Sequence, residues 1–266
     1  MSRRLKDTFA RGKAEGRALF IAYVTAGYKE RADTVPVLLA LEEGGADVIE
    51  LGIPFSDPLA DGATIQAANE VALAQGVSLA DCFAFIREAR TAGLRAPVVF
   101  MGYYNPILSY GEARAAREAA AAGVDAFIVV DLPPEEAGAL IAACRANDVG
   151  FVPLVAPTTR EARIDLLAAA ADDFLYCVSV TGTTGKGNVA VEMLPAFLAR
   201  VRRHTDLPLA VGFGITRPEH VAAVGKLAEA AVVGSSFITT IERAPAGGRA
   251  EAVRAFVREM TGHPEG

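Results

Sequence analysis

Eight short runs of β-branched, aliphatic and aromatic residues punctuate the 266-residue chain, separated by alanine-rich amphipathic segments. They lie near Leu19–Thr25, Asp47–Leu51, Pro97–Tyr103, Asp125–Asp131, Gly150–Val155, Phe174–Val180, Pro208–Gly212 and Ala230–Gly234. Most have no polar face, as expected of strands buried on both sides of a parallel sheet, and the alternation with helical segments is that of repeated βα units. Eight such units can close on themselves. The expected fold is therefore α/β, a single (β/α)8 TIM barrel over residues 1–266, since barrels of about 250 residues commonly form one domain.

Two departures from a minimal barrel are expected, a helix ahead of the first strand and extra helix after the second. The long interval between the second and third runs has room for Thr64–Gln75 and Ser78–Thr91, with Gly76 breaking them and Ser78 as an N-cap. Helix-to-strand junctions repeat a local pattern in Gly45-Ala-Asp47, Gly123-Val-Asp125 and, in altered form, Asp148-Val-Gly150, where a glycine can take the left-handed C-cap. Ala244–Gly248 reads as a loop before a last helix, Arg249–Met260.

Composition excludes several functions. Hydrophobic residues at 52% and charged residues at 22% provide enough apolar surface for a core. The 32 acidic and 26 basic residues give a net charge of −6 without basic runs, so no face suits nucleic acid or anionic lipid. No apolar run approaches the roughly 20 residues that cross a bilayer, and none near the N-terminus has signal-peptide character. Cys82, Cys144 and Cys177 are odd in number and scattered, which reads as reduced core thiols in a cytoplasmic chain.

Barrel chemistry sits at the C-terminal ends of strands. The second run places Glu50 between Ile49 and Leu51 with no basic residue nearby in sequence. Desolvation there raises a carboxyl pKa and keeps a proton available near neutral pH, which makes a general acid; the alternative is a strand-end glutamate with a buried partner or solvent access. The following Pro54–Gly62 segment adds Asp57, which precedes a proline and can simply set a turn, and Asp61, either a preorganised carboxylate or the N-cap of the next helix. Glycine-rich turns follow the last three runs: Gly182–Gly187, Gly212-Phe-Gly214 and Gly234-Ser235-Ser236. Late-strand loops of barrels commonly hold phosphate, and a helix starting at Ser235 adds its N-terminal dipole. Nucleotide motifs fail, because Lys186 is followed by Gly187 and Val180 occupies the first glycine position of a P-loop.

Absences narrow the mechanism. Lys6, Lys13, Lys29, Lys186 and Lys226 all fall outside the strand runs, which disfavours a Schiff base. His204, His220 and His263 are dispersed on outer helices and the tail, so no metal is expected. Tyr23, Tyr103, Tyr176 and Phe213 stand at strand positions where they either surround a flat ligand or serve as core, each tyrosine hydroxyl needing a partner.

The segment Glu50-Leu-Gly-Ile-Pro-Phe-Ser-Asp-Pro-Leu-Ala-Asp61-Gly resembles the signature of the tryptophan synthase alpha-chain family almost letter for letter. The resemblance continues through Phe20–Gly27, Met101–Pro106, Val178–Gly185, Val211–Ile215 and Val233–Ser235. It implies retro-aldol cleavage of indole-3-glycerol phosphate into indole and glyceraldehyde 3-phosphate, with Glu50 as general acid/base and Asp61 at the indole N–H. It also implies Tyr176 and Tyr103 near the reacting centre, Tyr23 and Phe213 as walls for indole, and Thr184 against Asp61 in a lid at Gly182–Val189. Gly185, Gly214, Gly234 and Ser235 would receive phosphate. The implied partner is a beta chain carrying pyridoxal phosphate in an alpha2beta2 assembly, met through the Pro54–Asp61 and Asn105–Ser109 loops; this chain would hold no cofactor of its own.

Overall fold

The computed structural model describes residues 2–178, 193–212 and 214–262. Nine strands form one all-parallel sheet: β1 (Leu19–Thr25), β2 (Val48–Gly52), β3 (Val98–Gly102), β4 (Ala126–Val129), β5 (Gly150–Phe151), β6 (Leu154–Val155), β7 (Leu175–Val178), β8 (Leu209–Gly212) and β9 (Ala230–Val233). Their spatial order, β5-β4-β3-β2-β1-β9-β8-β7-β6, joins the first strand to the last and leaves at its two ends a pair that is consecutive in sequence. The expected run Gly150–Val155 is thus divided. Pro153 has no N–H to give to a ladder. Around it, Val152 N–H donates to the Phe127 carbonyl at 2.9 Å and the Pro153 carbonyl accepts from Tyr176 N–H at 3.1 Å. The bent segment therefore bonds to neighbours on both sides, closing a (β/α)8 barrel from eight runs in nine pieces.

Twelve α-helices are described. The helix expected ahead of the barrel is α1 (Arg3–Glu15), and the interval after β2 holds α3 (Ala63–Ala74) and α4 (Leu79–Thr91). Ser78 caps α4 through a reciprocal box with Asp81. Gly62, not Asp61, is the N-cap of α3, so the innocent role considered for Asp61 is not the one it takes. Asn105–Ser109 lies within a helix, α5 (Tyr104–Tyr110), rather than in a loop; Pro106 falls in its first turn, where a missing N–H costs nothing. Around the rest of the barrel run α2 (Thr34–Gly44), α6 (Glu112–Ala122), α7 (Gly138–Arg145), α8 (Glu161–Ala170), α9 (Leu194–Arg202), α10 (Pro218–Gly225), α11 (Ser235–Arg243) and α12 (Arg249–Thr261).

The helix-to-strand junctions explain the repeated sequence pattern. Gly45 and Gly123 close α2 and α6 in the left-handed region, at φ 105° and 88°. In the third copy Asp148 takes that conformation, at φ 56°, and not Gly150. Gly150 is needed for space instead: a Cβ there would stand 1.8 Å from Asp173 Oδ2.

Acids ahead of four strands, two of them ending these junctions, reach back across the barrel floor. Asp47 accepts from Phe20 N–H at 2.9 Å, Asp125 from Val98 N–H at 2.8 Å, Asp172 from Phe151 N–H at 3.1 Å, and Glu229 from Leu209 N–H at 2.8 Å. Each carboxylate also meets arginine: Arg17, Arg4 with Arg90, Arg145 and Arg202 respectively. Four times, an acid ahead of one strand satisfies an amide near the start of an earlier strand, β5 in the case of Asp172.

Asp125 is the most buried of these acids and faces two guanidinium groups. Replacing it by alanine orphans Val98 N–H and leaves Arg90 half-buried without its anion, so Asp125→Ala should lose about 3 kcal/mol of stability in urea unfolding. A loss under about 0.5 kcal/mol would show that the floor network is not a structural clamp.

Candidate active site

β2 is buried along its whole length, and its register sets Glu50 opposite Tyr23 of β1 and Val99 of β3. Glu50 is 1% exposed, and its Oε1 has no hydrogen-bond partner among the described residues. Burial first, and the negative charge of Asp61 second, push its carboxyl up to about 8. The second carboxylate arrives from the loop that leaves β2. Asp61 is 8% exposed and accepts from the Tyr103 hydroxyl at 3.2 Å, and that hydroxyl in turn accepts from Ala60 N–H at 2.9 Å. Phe55 stacks on the Tyr103 ring at 5.1 Å and stiffens the loop against β3. Burial raises Asp61 to about 6, with hydrogen bonds from Tyr103 and Asn69 acting against the rise. Asp57 stays exposed in the turn between Pro54 and Pro58.

Two tyrosines complete the polar end, each lying over a glycine of the adjoining strand. A Cβ on Gly52 would stand 2.3 Å from the Tyr23 hydroxyl, and one on Gly212 would stand 2.0 Å from that of Tyr176. These glycines are required by close approach, since any side chain would displace the phenol. The Tyr23 hydroxyl pairs with Thr25 Oγ1 at 3.3 Å. Burial holds both phenols well above their ordinary range, so they remain neutral beside the carboxylates.

These groups line one cavity. Tyr23, Glu50, Asp61 and Tyr176 form one part of its wall; Ile65, Met101, Ile215 and Val232 form an apolar part; Gly214, Gly234 and Ser235 also line it. Gly234 is the N-cap of α11, and Ser235 is its first residue. Tyr103 is not part of the cavity wall but supports Asp61 from behind it. Phe213, Thr184, Gly185 and the Gly182–Val189 segment lie outside the described residues. The four apolar wall residues were not singled out from the sequence, although Met101 lies next to the end of β3 and two residues beyond Val99, the register partner of Glu50, which is a readable signal.

No lysine, arginine or histidine of the described residues lines this cavity. Lys29 pairs with Glu242 at 2.6 Å, and His204 with Asp165 at 2.7 Å, both elsewhere. Cys82, Cys144 and Cys177 are buried and unpaired. Among the described residues no group of three or more His, Cys, Asp or Glu side chains could hold a metal ion. No helix among them is long and apolar enough to cross a membrane. The arrangement is thus an apolar slot with two carboxyls of unequal acidity at one wall and a helix start at another. It can give and take one proton while holding one negative charge.

Residues 9–263 match the family model described as tryptophan synthase alpha chain. The tryptophan synthase alpha chain of Roseiflexus castenholzii is 52% identical over 259 residues, covering 97% of this chain and 99% of that protein. Tryptophan synthase of Saccharomyces cerevisiae is 46% identical over 97% of this chain, which spans 37% of that longer protein. The crystal structure of tryptophan synthase subunit alpha from Legionella pneumophila superimposes with a TM-score of 0.89 at 35% identity, covering 98% of this chain and 97% of that one. Strand order, cavity and full-length similarity agree, and the chain belongs to the tryptophan synthase alpha-chain family.

Proposed function

We propose that the Glu50–Asp61 cavity performs the alpha reaction, a carbon–carbon lyase step that cleaves indole-3-glycerol phosphate to indole and glyceraldehyde 3-phosphate without metal or Schiff base. The observation that carries the reading is the pair of buried carboxyls in the wall of one cavity, lined by no cation of the described residues, which pushes Glu50 up to about 8 and Asp61 to about 6. Between those values Glu50 holds a proton and Asp61 a charge. Glu50 gives its proton to indole C3, which makes the ring nitrogen iminium-like, and Asp61 stabilises that developing charge at N1. The Glu50 carboxylate then takes the proton of the hydroxyl on the carbon being released. The bond to C3 breaks, its electron pair neutralises the iminium, the aldehyde forms, and Glu50 is again protonated.

Tyr23 and the apolar wall would pack on the indole rings, with Tyr176 beside the reacting carbon and Phe213 and Thr184 completing the site. Phosphate would sit at Gly214, Gly234 and Ser235 together with Gly185, where main-chain amides and the dipole of α11 favour an anion. The partner would be a beta chain, in an alpha2beta2 assembly, and pyridoxal phosphate would belong to that chain. Two apolar side chains on the segments expected to meet it support this: Leu59 in the loop after β2 is 85% exposed, and Leu108 in α5 is 52% exposed. That this chain spans only part of the yeast tryptophan synthase also fits an activity completed by further sequence. The reading places the chain in the cytoplasm.

Glu50→Gln keeps the shape and removes the transferable proton, so kcat for indole release should fall by about a thousandfold while substrate binding changes by less than about threefold. Turnover near that of the wild type would reject Glu50 as the acid. The same substitution has a stability signature. Glu50 binds its proton more tightly folded than unfolded, so wild-type stability declines as pH rises from the ordinary glutamate range to about 8, where the carboxyl ionises in place. Denaturant titrations should therefore show Glu50→Gln gaining on the wild type across that window, and a constant difference would contradict the buried proton.

For the wild type, kcat/KM should follow a bell with limbs near 6 and 8, from Asp61 and Glu50 respectively. A profile flat from pH 5 to 9 would disconnect these two groups from the reaction. Ser235→Asp sets a negative charge at the start of α11, so calorimetry should show glyceraldehyde 3-phosphate binding at least about tenfold weaker; unchanged affinity would move the phosphate elsewhere.

A further inference from the structure

The segment that brings Asp61 to the cavity wall is poorly packed. Ser56, Asp57, Leu59 and Ala60 are all exposed, Leu59 at 85%. Its backbone folds as a β-turn in which Asp61 N–H donates to the Pro58 carbonyl at 3.0 Å. A turn this exposed is not fixed by burial, so polar contacts from its neighbours decide where its last residue points.

Two neighbouring elements supply those contacts. From just beyond β3, the Tyr103 hydroxyl accepts from Ala60 N–H at 2.9 Å and donates to Asp61 Oδ2 at 3.2 Å. From the first turn of α3, Gln66 Nε2 donates to the Asp61 main-chain carbonyl at 2.8 Å and reaches the Pro58 carbonyl at 3.5 Å. One side-chain amide thus spans the carbonyls at the two ends of the turn. Gln66 is itself held by the helix, its N–H donating to the Gly62 carbonyl at 3.0 Å, and its neighbour Ile65 lines the cavity. Successive residues of α3 therefore supply a piece of the wall and a hold on the turn that delivers Asp61.

Gln66 is not among the residues lining the cavity, so whatever it does for the reaction it does through the turn. The turn matters because Asp61 can stabilise charge developing on the substrate only while its carboxylate keeps its place. A displacement of about 1 Å, even from a distant cause, can cost up to about a hundredfold in rate.

We propose that Gln66 is a positioning residue for the cleavage reaction: by tying both ends of the 58–61 turn to α3, it keeps the Asp61 carboxylate at the cavity wall and within reach of the Tyr103 hydroxyl. This rests on the role given to Asp61 above.

The test uses the full chain with Gln66→Met, which keeps length and helix propensity but donates nothing, and Gln66→Glu, which sets an acceptor against the two carbonyls. Two quantities are read: kcat and KM for indole release, and amide hydrogen exchange of the substrate-free protein followed by NMR. In Gln66→Met, kcat should fall about tenfold with KM within about twofold, because the Asp61 charge is needed as the iminium develops rather than when substrate binds. Exchange at Ala60 and Asp61 should quicken about fivefold to tenfold, the change expected for one neutral hydrogen bond lost, while Ile49 and Leu51 in β2 keep their protection. Gln66→Glu should exceed Gln66→Met in both readouts.

If Gln66 only supports α3, both variants lose stability in urea, while kcat measured on the fully folded chain and exchange at Ala60 and Asp61 stay at wild-type values. In an active chain, either readout left at its wild-type value overturns the proposal. If Gln66→Met does not fold, Gln66→Glu, with the volume of glutamine, gives the same decision. Because exchange needs no turnover, it separates the two ideas. A chain that releases no indole but shows faster exchange confined to Ala60 and Asp61 loses the reaction and keeps the Gln66 contact, whereas an active chain in which neither readout moves loses Gln66 alone.

Discussion

A carboxyl group buried with no cation of the described residues beside it is the constraint around which the site is arranged. Glu50 sits in the middle of a strand whose five residues are all buried, and the charged group nearest in effect is another carboxylate, Asp61. Its side chain is buried and no arginine or lysine of the described residues lines its cavity, so the neutral form is favoured well into the neutral range. The strand could not hold an ionised glutamate at low cost, and the chemistry needs a protonated one. Burial therefore supplies the acid directly.

The opposite end of the same barrel shows how differently the fold treats acids that it needs ionised. Asp47, Asp125, Asp172 and Glu229 each meet an arginine and a strand-entry amide. Identical functional groups are thus assigned to opposite tasks by their partners: fully compensated at the N-terminal ends of strands, where they fasten neighbouring strands, and uncompensated at the C-terminal ends, where a loosely held proton is useful. Asp61 lies between these extremes, kept partly ionised by neutral donors alone. That gradation separates the two acidities and lets one carboxyl donate while the other bears charge.

Much of this was legible in the sequence because period and polarity carry it. Continuous apolar runs marked the strands, one of which is divided at Pro153, and a glutamate inside another marked itself by its cost. Asp61 was visible as an acid in a proline-stiffened loop, but its helix-cap alternative could be discarded only once Gly62 was seen to fill that place. Other features depended on tertiary position. Pro153 was plainly present, yet whether a proline ends a strand or bends it between two neighbours depends on which carbonyls lie opposite. Asp148 takes the left-handed turn that glycine takes in the other two copies, while Gly150 makes room for Asp173. Gln66 reads as an ordinary helix polar residue, and only the packing of α3 against the loop before it brings its amide to the Asp61 carbonyl. Tyr103, expected near the reacting centre, stands behind the carboxylate rather than in the cavity wall.

The most direct measurement of the central claim is the protonation state of Glu50 in the folded, substrate-free chain. Infrared difference spectra with ¹³C-labelled glutamate, using Glu50→Gln to assign the band, should show a carboxylic-acid C=O stretch from Glu50 at pH 7 that disappears with a midpoint near 8. A band already lost by pH 5, with only the ionised carboxylate at neutrality, would contradict the account, because a glutamate that ionises at its ordinary pH has no proton to give to indole.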